Sequence, residues 1–141
     1  MNFRTLARKQ ERLKRKMNLR LSSFFADLSL TTPQALALQY ILEKGKDGSV
    51  YQKDVEKHLS IRGSSATSLL HNLERAGFIR RETVKFDGRY RCLKPTQKAV
   101  ALQEEITRRI EQYAQSLFVG ISESDLKVFE SVIERMTSNA C

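Results

Sequence analysis

Tryptophan is absent from this chain of 141 residues, and cysteine and histidine occur twice each. Two cysteines, Cys92 and Cys141, are too few for a disulfide framework and accord with a reducing compartment. No run of about 18 apolar residues occurs, which excludes a transmembrane helix on length. The basic N-terminal stretch is not followed by the apolar core and small-residue cleavage site of a secretory signal. A cytoplasmic protein with no membrane partner is therefore expected. The chain also lacks a glycine-rich phosphate loop, a His-x-x-x-His pair, a Gly-x-Ser-x-Gly elbow and cysteines paired at metal spacing. With only His58 and His71 besides, neither an enzyme nor a bound metal or cofactor is expected.

What is present in excess is positive charge. The formal net charge is +9, which favours a polyanionic partner. Its distribution is uneven: residues 61 to 94 hold eight Lys/Arg against three Asp/Glu, whereas residues 95 to 141 hold five against seven. The N-terminal segment is more extreme, with Arg4, Arg8, Lys9, Arg12, Lys14, Arg15, Lys16 and Arg20 against the single acid Glu11. At 40% hydrophobic residues the chain forms one domain with a modest core, which makes shared cores between subunits an option.

The segment from Gln52 to Thr96 carries the main signal. A short helix, Gln52 to Leu59, turns Val55 and Leu59 one way, and Ser60-Ile61-Arg62-Gly63 supplies a turn with one apolar plug and one glycine. A second helix from Ser64 to Ala76 then places Ala66, Leu69, Leu70 and Leu73 on one side and Ser64, Ser68, His71 and Arg75 on the other. Short hydroxyls on an exposed face let a helix backbone approach base edges and phosphates in the major groove. A self-capping, serine-rich surface helix is the plain alternative. Gly77 suits a C-terminal cap, and Phe78 to Phe86 has the β-branched and aromatic content of a strand. Asp87-Gly88 predicts a hairpin turn, and Arg89 to Leu93 a return strand, so Lys85, Arg89 and Arg91 gather near one tip. An arginine on such a wing can enter the narrow minor groove of A·T-rich DNA. The plain alternative is a hairpin whose arginines are solvated.

From Leu30 to the final helix the chain resembles the MarR family of bacterial winged helix-turn-helix regulators. Leu30-Thr31-Thr32-Pro33-Gln34 is similar to the opening of that family's second helix, and Leu73 to Arg81 to its passage from recognition helix to wing. Asp87-x-Arg89, followed seven residues later by Thr96, matches the family's spacing. Pro95 and Ala99 depart from its usual leucine and glycine. The resemblance implies a mainly α fold: a winged helix-turn-helix of three helices plus a β-hairpin wing over residues 30–96, with dimerisation helices at 1–29 and 97–141. It implies Arg89 at the minor groove and Ser64, Ser65, Thr67, Ser68 and His71 at the major groove; the neighbouring cations Arg62, Lys85 and Arg91 are further candidates for DNA contact. It further implies a homodimer, a near-palindromic operator with half-sites one helical turn apart, and a small-molecule effector held between dimer helices and reading head. Phe24, Phe25, Tyr40 and Tyr113 are the aromatic candidates for that crevice, against the plainer reading that they are core.

The flanks read as helices. Phe3, Leu6, Leu13, Met17, Leu21, Phe24 and Leu28 recur at three- and four-residue steps with only Gln10 interrupting, which predicts one long helix from Phe3 to Leu28 with a surplus that must meet another subunit or stay exposed. Its cations admit three readings: a dimerisation helix that also tracks phosphates, ordinary solvated charge, or a membrane-surface or targeting segment. Continuation of the apolar stripe into Phe24 and Leu28 argues against a removable peptide. Thr96 to Phe118 and a segment capped by Ser122-Glu123-Ser124-Asp125 predict two C-terminal helices. Cys92 is read as a small apolar filler or, with Arg91 and Lys94 beside it, as a redox-active thiol.

These features point to a sequence-specific DNA-binding transcription regulator, a repressor by preference. The rival is a helical adaptor that uses the winged fold and the basic N-terminal helix to bind another protein. An RNA-binding protein would need exposed aromatics that the predicted reading face lacks.

Overall fold

The computed structural model describes the backbone of residues 1–84 and 87–141 and the side chains of residues 1–83 and 91–141. Among these, the chain runs α1 (Phe3–Ser23), a 3-10 turn (Ala26–Leu28), α2 (Thr32–Lys44), β1 (Val50–Tyr51), α3 (Gln52–Leu59), α4 (Gly63–Arg75), β2 (Ile79–Val84), β3 (Asp87–Pro95), α5 (Gln97–Leu117) and α6 (Glu123–Asn139). The fold is mainly helical, with one antiparallel sheet in the order β1-β3-β2.

The predicted helix from Phe3 to Leu28 stops at Ser23, and the cause is local. The hydroxyls of Ser22 and Ser23 donate to the carbonyls of Leu19 and Arg20 at 2.7 and 2.6 Å, a back-bonding that competes with the helical ladder. The N–H groups of Phe24 and Phe25 then bond three residues back, to Leu21 and Ser22. The tightened turn delivers Phe25 to full burial, and Ser29, at φ 57°, redirects the chain into α2. A helix of 21 residues is about 31 Å long.

Helix α2 is the centre of the lobe. Thr31 and Gln34 form a reciprocal capping box, with Pro33 in the first turn. Ala35, Leu38, Ile41 and Leu42 bury against Val55 of α3, Leu70 and Leu73 of α4 and Ile106 of α5. Val50 and Tyr51, which carried no strand signal, pair with Leu93 and Cys92, so β3 is the middle strand and Cys92 is buried. Such burial fits the apolar-filler reading of that thiol.

Helix α3 spans the predicted residues, whereas α4 starts one residue earlier, at Gly63. The wing differs more. Strands β2 and β3 pair from Ile79↔Pro95 to Thr83↔Arg91, and the register then shifts before Val84↔Asp87. Asp87 and Gly88 therefore stand at the head of β3 rather than in a turn between equal strands. An Asp-Gly signal presumes a regular two-residue hairpin, and the irregularity after Thr83 breaks that register.

Thr96 joins the wing to α5: its hydroxyl donates to the carbonyl of Gly77 at 2.6 Å and caps the helix at the N–H of Ala99. Arg109 on α5 ties the 3-10 turn down, donating to the Phe24 carbonyl at 2.8 Å, to both carboxylate oxygens of Asp27, and to Glu105. These contacts hold the Asp27 and Glu105 carboxyls below the usual carboxylate range, through the Arg109 hydrogen bond for Asp27 and those of Arg108 and Arg109 for Glu105.

Ser122 caps α6 by accepting from the N–H of Asp125 at 3.1 Å. No described residue of α6 is buried, and Phe129, Ile133 and Met136 stand more than 40% exposed. Leu13 and Met17 of α1, Leu117 and Phe118 at the end of α5, and Phe129 and Ile133 of α6 border an open apolar cleft of about 480 Å³. No described helix is long and apolar enough to cross a membrane.

Candidate nucleic-acid interface

Helix α4 divides as its periodicity demands. Ala66, Leu69, Leu70 and Leu73 are buried, while Ser64, Ser65, Thr67, Ser68 and His71 are exposed. Arg62 caps the helix N-terminus with its backbone in an extended conformation and its side chain exposed. An uncapped first turn points its N–H groups and the positive end of the helix dipole outward, which suits a phosphate.

The one acid of α4, Glu74, is turned away from that face. Its carboxylate accepts from the backbone N–H of Arg81 at 3.0 Å and from the Arg81 guanidinium at 3.2 and 3.3 Å. The Arg81 backbone N–H, with the guanidinium behind it, lowers the Glu74 pKa from its ordinary value. The same guanidinium lies 3.5 Å from His71 Nδ1. Arg81 therefore joins the last turn of α4 to the wing and neutralises the only negative charge on the reading helix.

A second brace sits at the opposite end of α4. The Gln52 side-chain amide donates to Thr67 Oγ1 at 3.0 Å and to the Gly63 carbonyl at 3.3 Å, and the Thr67 hydroxyl donates to that same carbonyl at 2.8 Å. Thr67 is exposed, yet its hydroxyl is engaged inside the helix-turn-helix. Gln52 carried no sequence signal as a site residue, because only the fold brings the start of α3 over the start of α4. A glutamine heading the first helix, fifteen residues before a threonine in the second, is the pattern that would have marked it.

On the wing, Arg91 is exposed on β3 and borders a cleft of about 300 Å³ with Lys53, Glu56 and Arg81. Arg89 lies in β3 with its side chain outside the described portion, and Lys85 lies outside the described residues.

The four aromatic residues expected at an effector crevice are distributed over separate contacts. Phe25 is wholly buried core. Phe24 meets Tyr113 edge to face at 5.9 Å, with the Arg20 guanidinium 5.9 Å from the Phe24 ring. Tyr40 stacks on His58 at 4.3 Å. A different cleft, of about 520 Å³, opens between Asn18 and Ser22 of α1, Thr32 and Leu36 of α2, and Leu59 and Ile61 of the helix-turn-helix. None of the four aromatics borders it. Thr32 Oγ1 beside it is buried without a hydrogen-bond partner among the described residues.

Helices α3 and α4, the β-hairpin that follows α4 and the long flanking helices make up a winged helix-turn-helix fold. A MarR family model matches residues 28–89, and over that segment the chain is similar to that family in sequence. Among solved structures, the transcription regulator MarR from Oenococcus oeni is 28% identical, with a TM-score of 0.78 over 94% of this chain and 98% of its own. The MepR–DNA complex of S. aureus is 24% identical, with a TM-score of 0.88 over 100% and 99%. A MarR protein from Peptoclostridium difficile is 22% identical, with a TM-score of 0.86 over 96% and 86%. A comparison with curated protein sequences found no match.

Proposed function

We propose that this chain is a homodimeric, DNA-binding transcription regulator of the cytoplasm, acting as a repressor on a near-palindromic operator. The observation that carries the reading is the face of α4: five exposed polar residues, Ser64, Ser65, Thr67, Ser68 and His71, with the one acid of the helix drawn back onto Arg81. In this reading α4 lies in the major groove. Ser64, Ser65 and Ser68 approach base edges, Thr67 offers its methyl group, and Arg62 and His71 flank them. Lys85, Arg89 and Arg91 serve the wing, with Arg89 in the minor groove. That a similarly folded S. aureus protein was solved with DNA supports DNA as the partner, without bearing on individual residues.

The unburied apolar face of α6 and the open cleft it shares with α1 and α5 support dimerisation. A patch of this kind is a surface for a partner, and a second copy supplies a self-complementary one. Two copies related by a two-fold axis present two reading helices about 34 Å apart, which requires half-sites one helical turn apart.

Release by a small-molecule effector is the remaining part of the reading. The cleft beside Thr32 supports it, since that cleft joins α1 to the helix-turn-helix in largely apolar surroundings. A ligand there need only favour one spacing of the two heads by a few kcal/mol.

The test is selection of genomic fragments by the purified protein at physiological salt. A symmetric motif with half-sites one turn apart supports the proposal. Recovery of fragments with no shared symmetric sequence would favour the adaptor.

A further inference from the structure

Helix α1 holds eight of the 25 Lys/Arg and one of the 16 Asp/Glu, a balance of +7 that leaves only +2 for all other residues. The densest part of the chain's positive charge therefore belongs to a helix that lies outside the reading head. Four arginines, Arg4, Arg8, Arg12 and Arg15, fall within about 80° of one another on its surface and span about 16 Å along its axis. All four are exposed, and among the described residues none has an ion-pair or hydrogen-bond partner.

This arrangement works against the helix that carries it. Arg4–Arg8 and Arg8–Arg12 are like-charge pairs four residues apart, which repel. The first turn holds no acid, so Arg4 also opposes the positive end of the helix dipole. A solvated helix relieves both effects with interleaved Glu, and only Glu11 is present. An external polyanion removes both.

We propose that Arg4, Arg8, Arg12 and Arg15 form a second, sequence-independent strip for the phosphate backbone of duplex DNA, separate from α4 and the wing. The proposal rests on the DNA-binding reading above and adds a second contact surface to it. Arginine on all four positions suits phosphate, because the guanidinium fork binds it bidentately. A membrane is the poorer occupant. The apolar line Leu6, Leu13 and Met17 runs on the side of α1 opposite the arginines, so a helix lying on lipid would aim those arginines at solvent.

The test uses the full chain as wild type, as Arg4→Gln/Arg8→Gln/Arg12→Gln/Arg15→Gln, and with lysine at the same four positions. Affinity is measured over a salt series for the selected operator and for a long random-sequence duplex. The glutamine protein is expected to lose at least about tenfold in affinity for random duplex, with a log–log salt slope shallower by about 3 to 4. Its preference for operator over random duplex should rise, and the lysine protein should retain the wild-type slope. Equal slopes for wild type and glutamine protein, with operator binding intact, overturn the strip and leave the reading head standing. Loss of binding to phosphatidylserine vesicles with an unchanged DNA slope overturns it in favour of lipid. Failure of wild type to bind either duplex overturns the proposed function itself. Circular dichroism of the glutamine protein, with wild-type helix content expected, separates charge loss from unfolding.

Discussion

The side-chain amide of Gln52 sits 3.0 Å from the hydroxyl of Thr67, and through this bond the first helix of the helix-turn-helix grips the first turns of the second. The same amide reaches the Gly63 carbonyl. Position and tilt of the reading helix are thereby fixed at the end where Ser64 and Ser65 stand.

Replacing Gln52 with alanine should lower stability by about 0.5–1.5 kcal/mol, the worth of a part-exposed hydrogen bond, and weaken operator binding through loss of position. A double-mutant cycle with Thr67→Val should give a coupling energy of at least about 0.5 kcal/mol in denaturant titrations. Strict additivity would show that the pair does not position α4.

Side chains at the groove should act on sequence preference. Ser65→Ala and Ser68→Ala should each alter discrimination at single base pairs by about 1–3 kcal/mol, measured by competition between operator variants. Arg89→Ala should instead weaken binding to every operator variant that keeps an A·T-rich flank. Wild-type affinity in the Arg89→Ala protein would remove the wing from the interface.

Acid should loosen both the wing and the 3-10 turn. The carboxyls of Glu74, Asp27 and Glu105 are all held below their ordinary values by arginines. A depressed folded-state pKa contributes stability that is present above the unfolded pKa and lost as the pH falls through the folded one. Thermal midpoints should therefore decline as the pH drops below about 4. Glu74→Gln and Asp27→Asn should each flatten that decline, and an undiminished slope in both variants would refute the assignment.

Thr32→Val should raise the stability of the free protein, on the order of 1 kcal/mol, because it replaces a buried hydroxyl that has no partner with a methyl group. The same variant should weaken any effector that releases DNA through this cleft. A destabilised Thr32→Val protein would mean that the hydroxyl is satisfied.

Much of this was legible in the sequence, for reasons visible residue by residue. The span of α3 and the inward face of α4 follow from apolar spacing at Val55, Leu69, Leu70 and Leu73, since one-sided burial imposes its period on the chain. The cap residue Ser122 announced the start of α6 because a capping hydroxyl acts locally, whereas the start of α2 near Thr31 was legible only through the family resemblance. What escaped was tertiary or too short. The strand Val50–Tyr51 has two residues, below the length at which alternation shows. The break at Ser23 depended on the Ser22-Ser23 back-bonding and on a core that required Phe25. Gln52 and the Glu74–Arg81 brace span elements, so no local pattern exposes them. The aromatics Phe24, Phe25, Tyr40 and Tyr113 share a residue class but separate environments, which composition cannot distinguish.

The account stands on two copies of α4 meeting one duplex about a two-fold axis. Hydroxyl-radical footprinting of the wild-type complex on its selected fragment, with stoichiometry from sedimentation, tests that most directly. The expected pattern is two equivalent protected patches about 34 Å apart with two chains per duplex. One protected patch, or one chain per duplex, would contradict it.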